Sequence, residues 1–194
     1  MADLNELNAS LVTTGTPVEG GCAWTSFADS PTLPTTATQK MSELTGFESL
    51  GELSDNGFTE GRDLSTTDHK GWHGSVLLTS VDSETNTVKA EFLEVSRPAA
   101  AKLRYGADAV TVGSDGTVSK IAAKKYTGKA VPLVFDELES NGYLRRTVIK
   151  KAVVKTFDDV PHQRGSLLVY GMTFTINDPD DGSEPYDIYR AAAE

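Results

Sequence analysis

The sequence predicts a mainly β protein, an antiparallel β-sandwich or barrel with one short α-helix and extended N- and C-terminal arms. Three observations support this prediction. Several central runs alternate apolar and polar residues, as half-buried strands do. Two turn signals, Ser114-Asp115-Gly116 and Asn141-Gly142, each separate a pair of such runs. Only residues 96–106 have a clearly helical composition. We expect an N-terminal arm at residues 1–40, a β-sandwich domain at 41–177 and an acidic C-terminal arm at 178–194.

Residues 1–40 are the predicted N-terminal arm, because they show little periodicity and contain three prolines and a glycine pair. The segment also carries large apolar side chains, at Leu11, Val12, Trp24, Phe27 and Leu33. A free disordered tail usually has fewer of these. We therefore expect part of the arm to pack on something, although a mobile terminus stays open as the alternative.

The first strands are expected on both sides of a polar segment. Residues 46–54 are a modest strand candidate, and residues 54–71, rich in Gly, Asp, Ser and Thr, are predicted to be a loop. The run at 76–81 alternates as a strand does, residues 82–86 look like a turn, and residues 87–95 alternate again. The last two runs are predicted to pair as antiparallel neighbours.

The helix is expected to begin at Ser96, a good N-cap residue, with Pro98 in its first turn. The following Ala, Lys, Leu and Arg residues favour helix, and Gly106 can adopt the positive φ that ends one. The side chains predicted to pack against a sheet are those of Ala100, Leu103 and Ala107.

The rest of the chain reads as strands. A hairpin is predicted around Ser114-Asp115-Gly116, and a longer one joins "KAVPLVFDELES" to "YLRRTVIKKAVVKTF" at Asn141-Gly142. Pro132 places the first of these long strands at a sheet edge or near a strand start. "GSLLVYGMTFTIND" is the last predicted strand before the acidic tail.

The charge distribution argues against nucleic-acid binding, since the chain has a net charge of -10 and phosphates need basic partners. Residues 1–70 carry 11 acidic and 3 basic side chains, residues 71–177 carry 11 and 14, and residues 178–194 carry 6 and 1. Such a gradient suits head-to-tail self-association. No run is long and apolar enough for a membrane-spanning helix, and the acidic N-terminus does not resemble a signal peptide. The single cysteine, Cys22, excludes a disulfide framework within the chain.

No motif in the sequence predicts a catalytic, metal or cofactor site. His69 and His73 are four residues apart, but Gly71 and Gly74 disfavour the helix that would bring them onto one zinc ion. The acidic stretch at 178–184 lacks calcium-loop spacing. Asp136, Glu137 and Glu139 are more simply a solvated strand face than an acid–base pair. We therefore predict that the protein is not an enzyme and needs no cofactor.

Four segments, in order, resemble one known family. They are "GELSDNGFTE" at 51–60, "DHKGWHG" at 68–74, "AEFLE" at 90–94 and "LRYG" at 103–106. With the strand pair, the short helix and the Asn-Gly hairpin, this layout resembles the major tail tube protein of long-tailed, non-contractile bacteriophages over residues 40–178. The resemblance rests on several loosely specified segments and not on one tight signature.

The resemblance implies a structural virion protein with the phage tail tube fold. It implies rings, hexameric in this family, that stack into the tube through which the genome is ejected. The implied partners are other copies of the chain, the tape-measure protein, and the tail terminator and baseplate or tail-tip proteins. DNA is a non-specific passenger, no membrane insertion is expected, and assembly takes place in the host cytoplasm. The alternative is a monomeric or oligomeric binding or decoration protein of the same virion.

Two groups of residues are predicted to function in such a tube. The polar segment after residue 53 is expected to dock between stacked rings and to be mobile until it does so. Its predicted docking residues are Ser54, Asp55, Asn56, Gly57, Phe58, Thr59, Glu60, Gly61, Arg62 and Asp63. Acids on strand faces are expected to give the lumen a negative wall past which DNA slides. The candidates are Glu48, Glu52, Glu137 and Glu139.

Overall fold

The computed structural model describes residues 8–18 and 21–193. These residues form eleven strands, one α-helix, α1 (Pro98–Tyr105), and three short 3-10 turns. The strands are β1 (Gly15–Pro17), β2 (Ala23–Ser26), β3 (Phe47–Ser49), β4 (Leu53–Lys70), β5 (Val76–Phe92), β6 (Val110–Val112), β7 (Val118–Ile121), β8 (Val131–Glu139), β9 (Tyr143–Phe157), β10 (Tyr170–Ile176) and β11 (Tyr186–Ala192). The prediction of a mainly β, antiparallel fold with one short helix is confirmed.

Nine strands form one antiparallel sheet whose two ends meet. The strand order is β3-β2-β8-β9-β10-β5-β4, with β1 also on β8 and β11 also on β9. The first and last strands of this order are joined by residues 50–52. Leu50 N donates to Ala23 O at 2.8 Å on one side of this crossing, and Leu93 N donates to Glu52 O at 3.0 Å on the other. The sheet therefore curls back on itself around an interior, as in a sandwich or barrel.

The interior is filled by the inward side chains of these strands and by one face of α1. Phe92, Phe135, Phe174, Ile149 and Met172 are fully buried. Ala99, Ala100, Ala101 and Leu103 of the helix pack into the same cluster. Aromatic rings and branched side chains dominate this core, which removes a large apolar area from water and stabilises the curled sheet.

The predicted loop at 54–71 is wrong, because these residues belong to β4, an 18-residue strand. The turn predicted at 82–86 is also wrong, because those residues lie within the 17-residue β5. β4 and β5 pair along their length, and the reversal lies at residues 71–75, where Gly74 has φ +81°. Polar residues of β4 face either polar partners, as Asp68 faces Thr79, or exposed apolar ones, as His69 faces Leu78, so the ladder continues without a buried face.

The other hairpins are confirmed. β6 pairs with β7 across Ser114-Asp115-Gly116, and β8 pairs with β9 across Asn141-Gly142. Pro132 is the second residue of β8, near a strand start as expected. The helix ends at Gly106, which has φ +92°, but its N-cap is Arg97 and not Ser96, and Ala107 is exposed.

Residues of both predicted arms contribute strands to the sheet. β2 lies between β3 and β8, and β1 pairs with the end of β8. β11 pairs with residues 143–149 of β9 along its whole length. Residues 1–7 of the predicted N-terminal arm lie outside the described residues. No helix within the described part of the chain is long and apolar enough to cross a membrane.

Candidate functional site

The most exposed element is the distal part of the β4–β5 hairpin, residues 62–86, which we call the projecting hairpin. β10 accompanies β5 only as far as Asn86, and beyond this point β5 pairs with β4 alone. From Arg62 to Glu84 every side chain is exposed except at Gly71 and Ser80, which are half-buried. At about 3.3 Å per residue, the ribbon extends roughly 30 Å beyond the sandwich.

Apolar side chains are concentrated towards the tip of the projecting hairpin. Trp72, in the reversal itself, is 100% exposed, and five others are 50–74% exposed: Leu64, Val76, Leu77, Leu78 and Val81. The register places Val81 opposite Thr66, on the same face as Leu64. Single exposed apolar residues are ordinary, but a group of six on one extended element indicates an interaction surface.

Cross-strand polar pairs hold the projecting hairpin together. Arg62 binds Glu84 through two hydrogen bonds of 2.8 and 3.0 Å, and the hydrogen bond from Arg62 lowers the pKa of Glu84. Thr79 donates to Asp68 at 2.6 Å, and Thr67 to Asp82 at 2.6 Å. Exposed pairs of this kind contribute little individually, and a two-stranded ribbon is marginally stable alone. A partner surface would stabilise it.

The ten residues predicted to dock lie at the base of the hairpin and not at its tip. Residues 54–57 form a wide bulge between the pairs Leu53–Phe92 and Phe58–Ala90. Phe58 stacks on Phe135 with ring centroids 4.3 Å apart, and Glu60 accepts a hydrogen bond from Thr147 at 3.2 Å. Arg62 and Asp63 begin the projecting part. The sequence predicts docking for this base and for the polar segment up to residue 71, but it assigns no such role to residues 72–86, where Gly71 and Gly74 around Trp72 were the available turn signal.

The bulge forms one wall of an open groove of about 520 Å³, which we call the base groove. Residues 52–58 line it together with Pro17, Cys22, Leu93 and two residues of β8, Asp136 and Glu137. Its fourteen lining residues include four acids and no Lys or Arg. Within the described residues the buried Ser54 Oγ has no hydrogen-bond partner. Burial raises the pKa of the Cys22 thiol, so this cysteine behaves as an apolar wall residue.

The four acids proposed for a lumen differ in their surroundings. Glu48 is paired with Lys102 at 2.9 Å, and Glu139, 6% exposed, accepts a 2.7 Å hydrogen bond from Arg190. Glu137 lies 3.9 Å from Arg145, and burial raises the pKa of its carboxyl group. Glu52 is exposed, and among the described residues no cation lies within ion-pair distance of it. Gly51, with φ +83°, separates Glu48 from Glu52, so the two do not share one strand face.

The other candidate clusters show no shared ligand geometry. His69 contacts Ser80 Oγ at 3.0 Å from within β4, whereas His73 lies in the turn. Lys151 pairs with Asp180 at 2.6 Å, and Asp181 accepts from Ser183 N at 2.9 Å. Across residues 8–18 and 21–193, no group of three or more His, Cys, Asp and Glu side chains is arranged to hold a metal ion.

Comparison with known proteins gives one result that bears on this arrangement. The sequence model of a family described as phage tail tube protein matches residues 23–191. The match includes β2 to β10 with the projecting hairpin, and nearly all of β11, while β1 lies outside it. No curated protein matches the chain.

Proposed function

The chain belongs to the phage tail tube protein family, a structural component of the virion tail, and we propose that it assembles into stacked, hexameric rings that form the conduit for genome ejection. Its partners in this role are other copies of itself along the tube. The tape-measure protein fills the bore during assembly, and tail terminator and baseplate or tail-tip proteins bind the tube ends. DNA is a passenger, and assembly takes place in the host cytoplasm.

The observation that carries this proposal is the projecting hairpin. It extends far from the core, exposes six large apolar side chains and ends in a fully exposed tryptophan. Among the described residues of one subunit, these large apolar side chains stay exposed. Copies stacked on one axis can cover the exposed apolar side chains of the hairpin. A heterologous contact joins two different surfaces of identical subunits, so it can repeat along that axis.

Contacts within a ring are supported by the ends of the sheet. β4 is the last strand of the order, and along the projecting hairpin its outer edge has no strand partner among the described residues. Exposed edges of this kind promote pairing with other chains. We propose that sheet edges of neighbouring subunits meet within a ring, while the projecting hairpin connects one ring to the next.

The test is to replace residues 63–85 with Asn-Gly. Arg62 and Asn86 are cross-strand partners, so a two-residue turn can close the shortened hairpin while the sandwich is retained. We expect a folded subunit by circular dichroism and sizing, with rings still forming and tubes absent in negative-stain electron microscopy. The matched control replaces the exposed loop residues 163–166 with Gly-Ser-Gly-Ser and should form normal tubes.

Normal tubes from the shortened chain would contradict the proposed role of the hairpin. A chain that stays monomeric at high concentration, even with an added tail initiation complex, would instead favour the alternative, a binding or decoration protein of the virion. Sizing followed by microscopy distinguishes these results, because the first gives tubes and the second gives neither rings nor tubes.

A further inference from the structure

The hairpin tip presents a fully exposed tryptophan, and the base groove is an open cavity whose described lining includes acids. Building on the proposed stacking of rings, we infer that Trp72 of each subunit inserts into the base groove of a second copy in the adjacent ring. Trp72, at the tip, is the only fully exposed large apolar side chain in the described part of the chain. The lining of the groove includes three large apolar residues, Leu53, Phe58 and Leu93.

Size supports this assignment. The groove, at about 520 Å³, is within the range of cavities that enclose small organic groups, roughly 300–1,000 Å³, and it can admit an indole ring. Tryptophan is also the residue type most often found as a buried anchor at protein interfaces.

Charge supports the same pairing. At the tip Lys70 is the only formally charged side chain of residues 69–81, with Asp68 and Asp82 just beyond this range. The described lining of the groove includes Glu52, Asp55, Asp136 and Glu137 and no Lys or Arg, and of these Asp136 is paired with Arg146. Opposite charges on two surfaces favour encounter and fix their relative orientation. The overall negative charge of each subunit disfavours most other contacts between copies.

The tip of a subunit is far from its own groove. Residue 56 lines the groove and Lys70 ends the strand, so about 45 Å of extended β4 separates the groove from the tip. A tip that enters the groove must therefore belong to another copy. Because tip and groove lie at opposite ends of β4, each subunit offers both halves of the contact. The contact repeats along the direction of the hairpin.

The first variant that tests this inference is Trp72→Ala. The side chain is fully exposed, so the subunit should fold unchanged, while the critical concentration for tube formation should rise roughly thirtyfold, as expected for a central tryptophan anchor. Pelleting of tubes against total concentration measures this quantity. Leu167→Ala, which removes another exposed apolar side chain from a loop outside the hairpin and outside the described lining of the groove, is the matched control and should leave it unchanged.

A charge swap tests which surface receives the tip. Lys70→Glu and Asp55→Lys should each raise the critical concentration about tenfold, because each places like charges together. The double variant should return to within about threefold of the unaltered chain. Lys125→Glu, an exposed lysine elsewhere, is the control for the change in net charge.

The outcomes separate this inference from the proposed function. Tubes that form normally with Trp72→Ala, or single charge variants that the double variant does not rescue, overturn the docking of the tip in the base groove and leave the tube function standing. Failure of the unaltered chain to form any tube overturns both. Loss of tubes with Trp72→Ala, together with rescue by the charge swap, supports the docking.

Discussion

At the scale of single residues, Gly51 determines how the sheet closes. It lies in the crossing from β3 to β4, is buried and has φ +83°. A Cβ atom there would lie 2.5 Å from Glu94 Cδ and 2.9 Å from Arg97 Nε. Glu94 in turn accepts hydrogen bonds from Arg97 Nε at 2.8 Å and from Glu52 N at 3.0 Å. A side chain at residue 51 would therefore disturb both the backbone and an ion pair.

We predict that Gly51→Ala lowers the free energy of unfolding by about 3 kcal/mol, from the positive φ and the close contacts together. The matched control is Gly165→Ala. Gly165 has nearly the same φ, +84°, but open space around its Cα, so its loss should be only about 1 kcal/mol. Urea denaturation of the unassembled subunit measures both values. Equal losses of unfolding free energy in the two variants would show that the contacts with Glu94 and Arg97 do not affect stability.

The ion-pair partners of individual acidic side chains were the feature hardest to predict from the sequence. Glu139 was chosen as an acid on a strand face, but its partner Arg190 is 51 positions away and reaches it only because β11 pairs with β9. Glu48 meets Lys102 across 54 positions for a similar reason. Local alternation identifies which side of a strand a carboxylate occupies. It carries no information about which distant cation the folded sheet brings there.

At the scale of elements, the sequence predicted the strands that have one buried face. β8, β9 and β10 were recognised because their apolar residues alternate or cluster around turn signals. Residues 62–70 of the projecting hairpin are misread as a loop because both of their faces are exposed and mostly polar, so no period of two appears there, whereas residues 76–81 are correctly predicted as strand. Without a buried face, the 62–70 segment shows no strand periodicity in the sequence. Its exposed faces also suit it to contacts between subunits.

β11 is an element attached to the sandwich by a pH-dependent ion pair. Besides its ladder with β9, Arg190 binds Glu139 and lies 4.2 Å from the ring centre of Tyr143. The hydrogen bond from Arg190 lowers the pKa of Glu139. A carboxyl group with a lowered pKa stabilises the folded chain above its unfolded pKa of about 4.3, and this contribution is lost as the pH falls through the folded value.

We predict that Arg190→Leu lowers the melting temperature at pH 7, and that the difference from the unaltered subunit shrinks as the pH falls from 5 to 3. The part that remains at low pH reflects the lost contact with Tyr143, which does not titrate in that range. Thermal scans by circular dichroism at several pH values measure this. Lys129→Leu removes an exposed pair with Asp29 and should have little effect at any pH. A difference for Arg190→Leu that is independent of pH would show that its pairing with Glu139 does not stabilise β11.

At the scale of the whole molecule, the net charge of -10 determines how the surface meets nucleic acid. Non-specific DNA binding draws its affinity from cations that displace counterions from phosphates. Several cations of this chain are already occupied, as Lys102, Arg146 and Arg190 are by Glu48, Asp136 and Glu139. The surface therefore offers DNA few free positive charges and many negative ones, which suits a wall past which DNA moves without being held.

We predict that neither the subunit nor the assembled tube binds duplex DNA with a dissociation constant below roughly 10⁻⁴ M at physiological salt, the weak end of the non-specific range. Fluorescence anisotropy of a labelled 30-base-pair duplex measures this at several salt concentrations. Lowering the salt should not produce binding, because it lengthens the range of repulsion as well as of attraction and the net charge is strongly negative. Binding that tightens steeply as salt is removed would show that assembly brings together the basic side chains of residues 71–177. In that case the lumen of the tube would bind DNA and would not repel it.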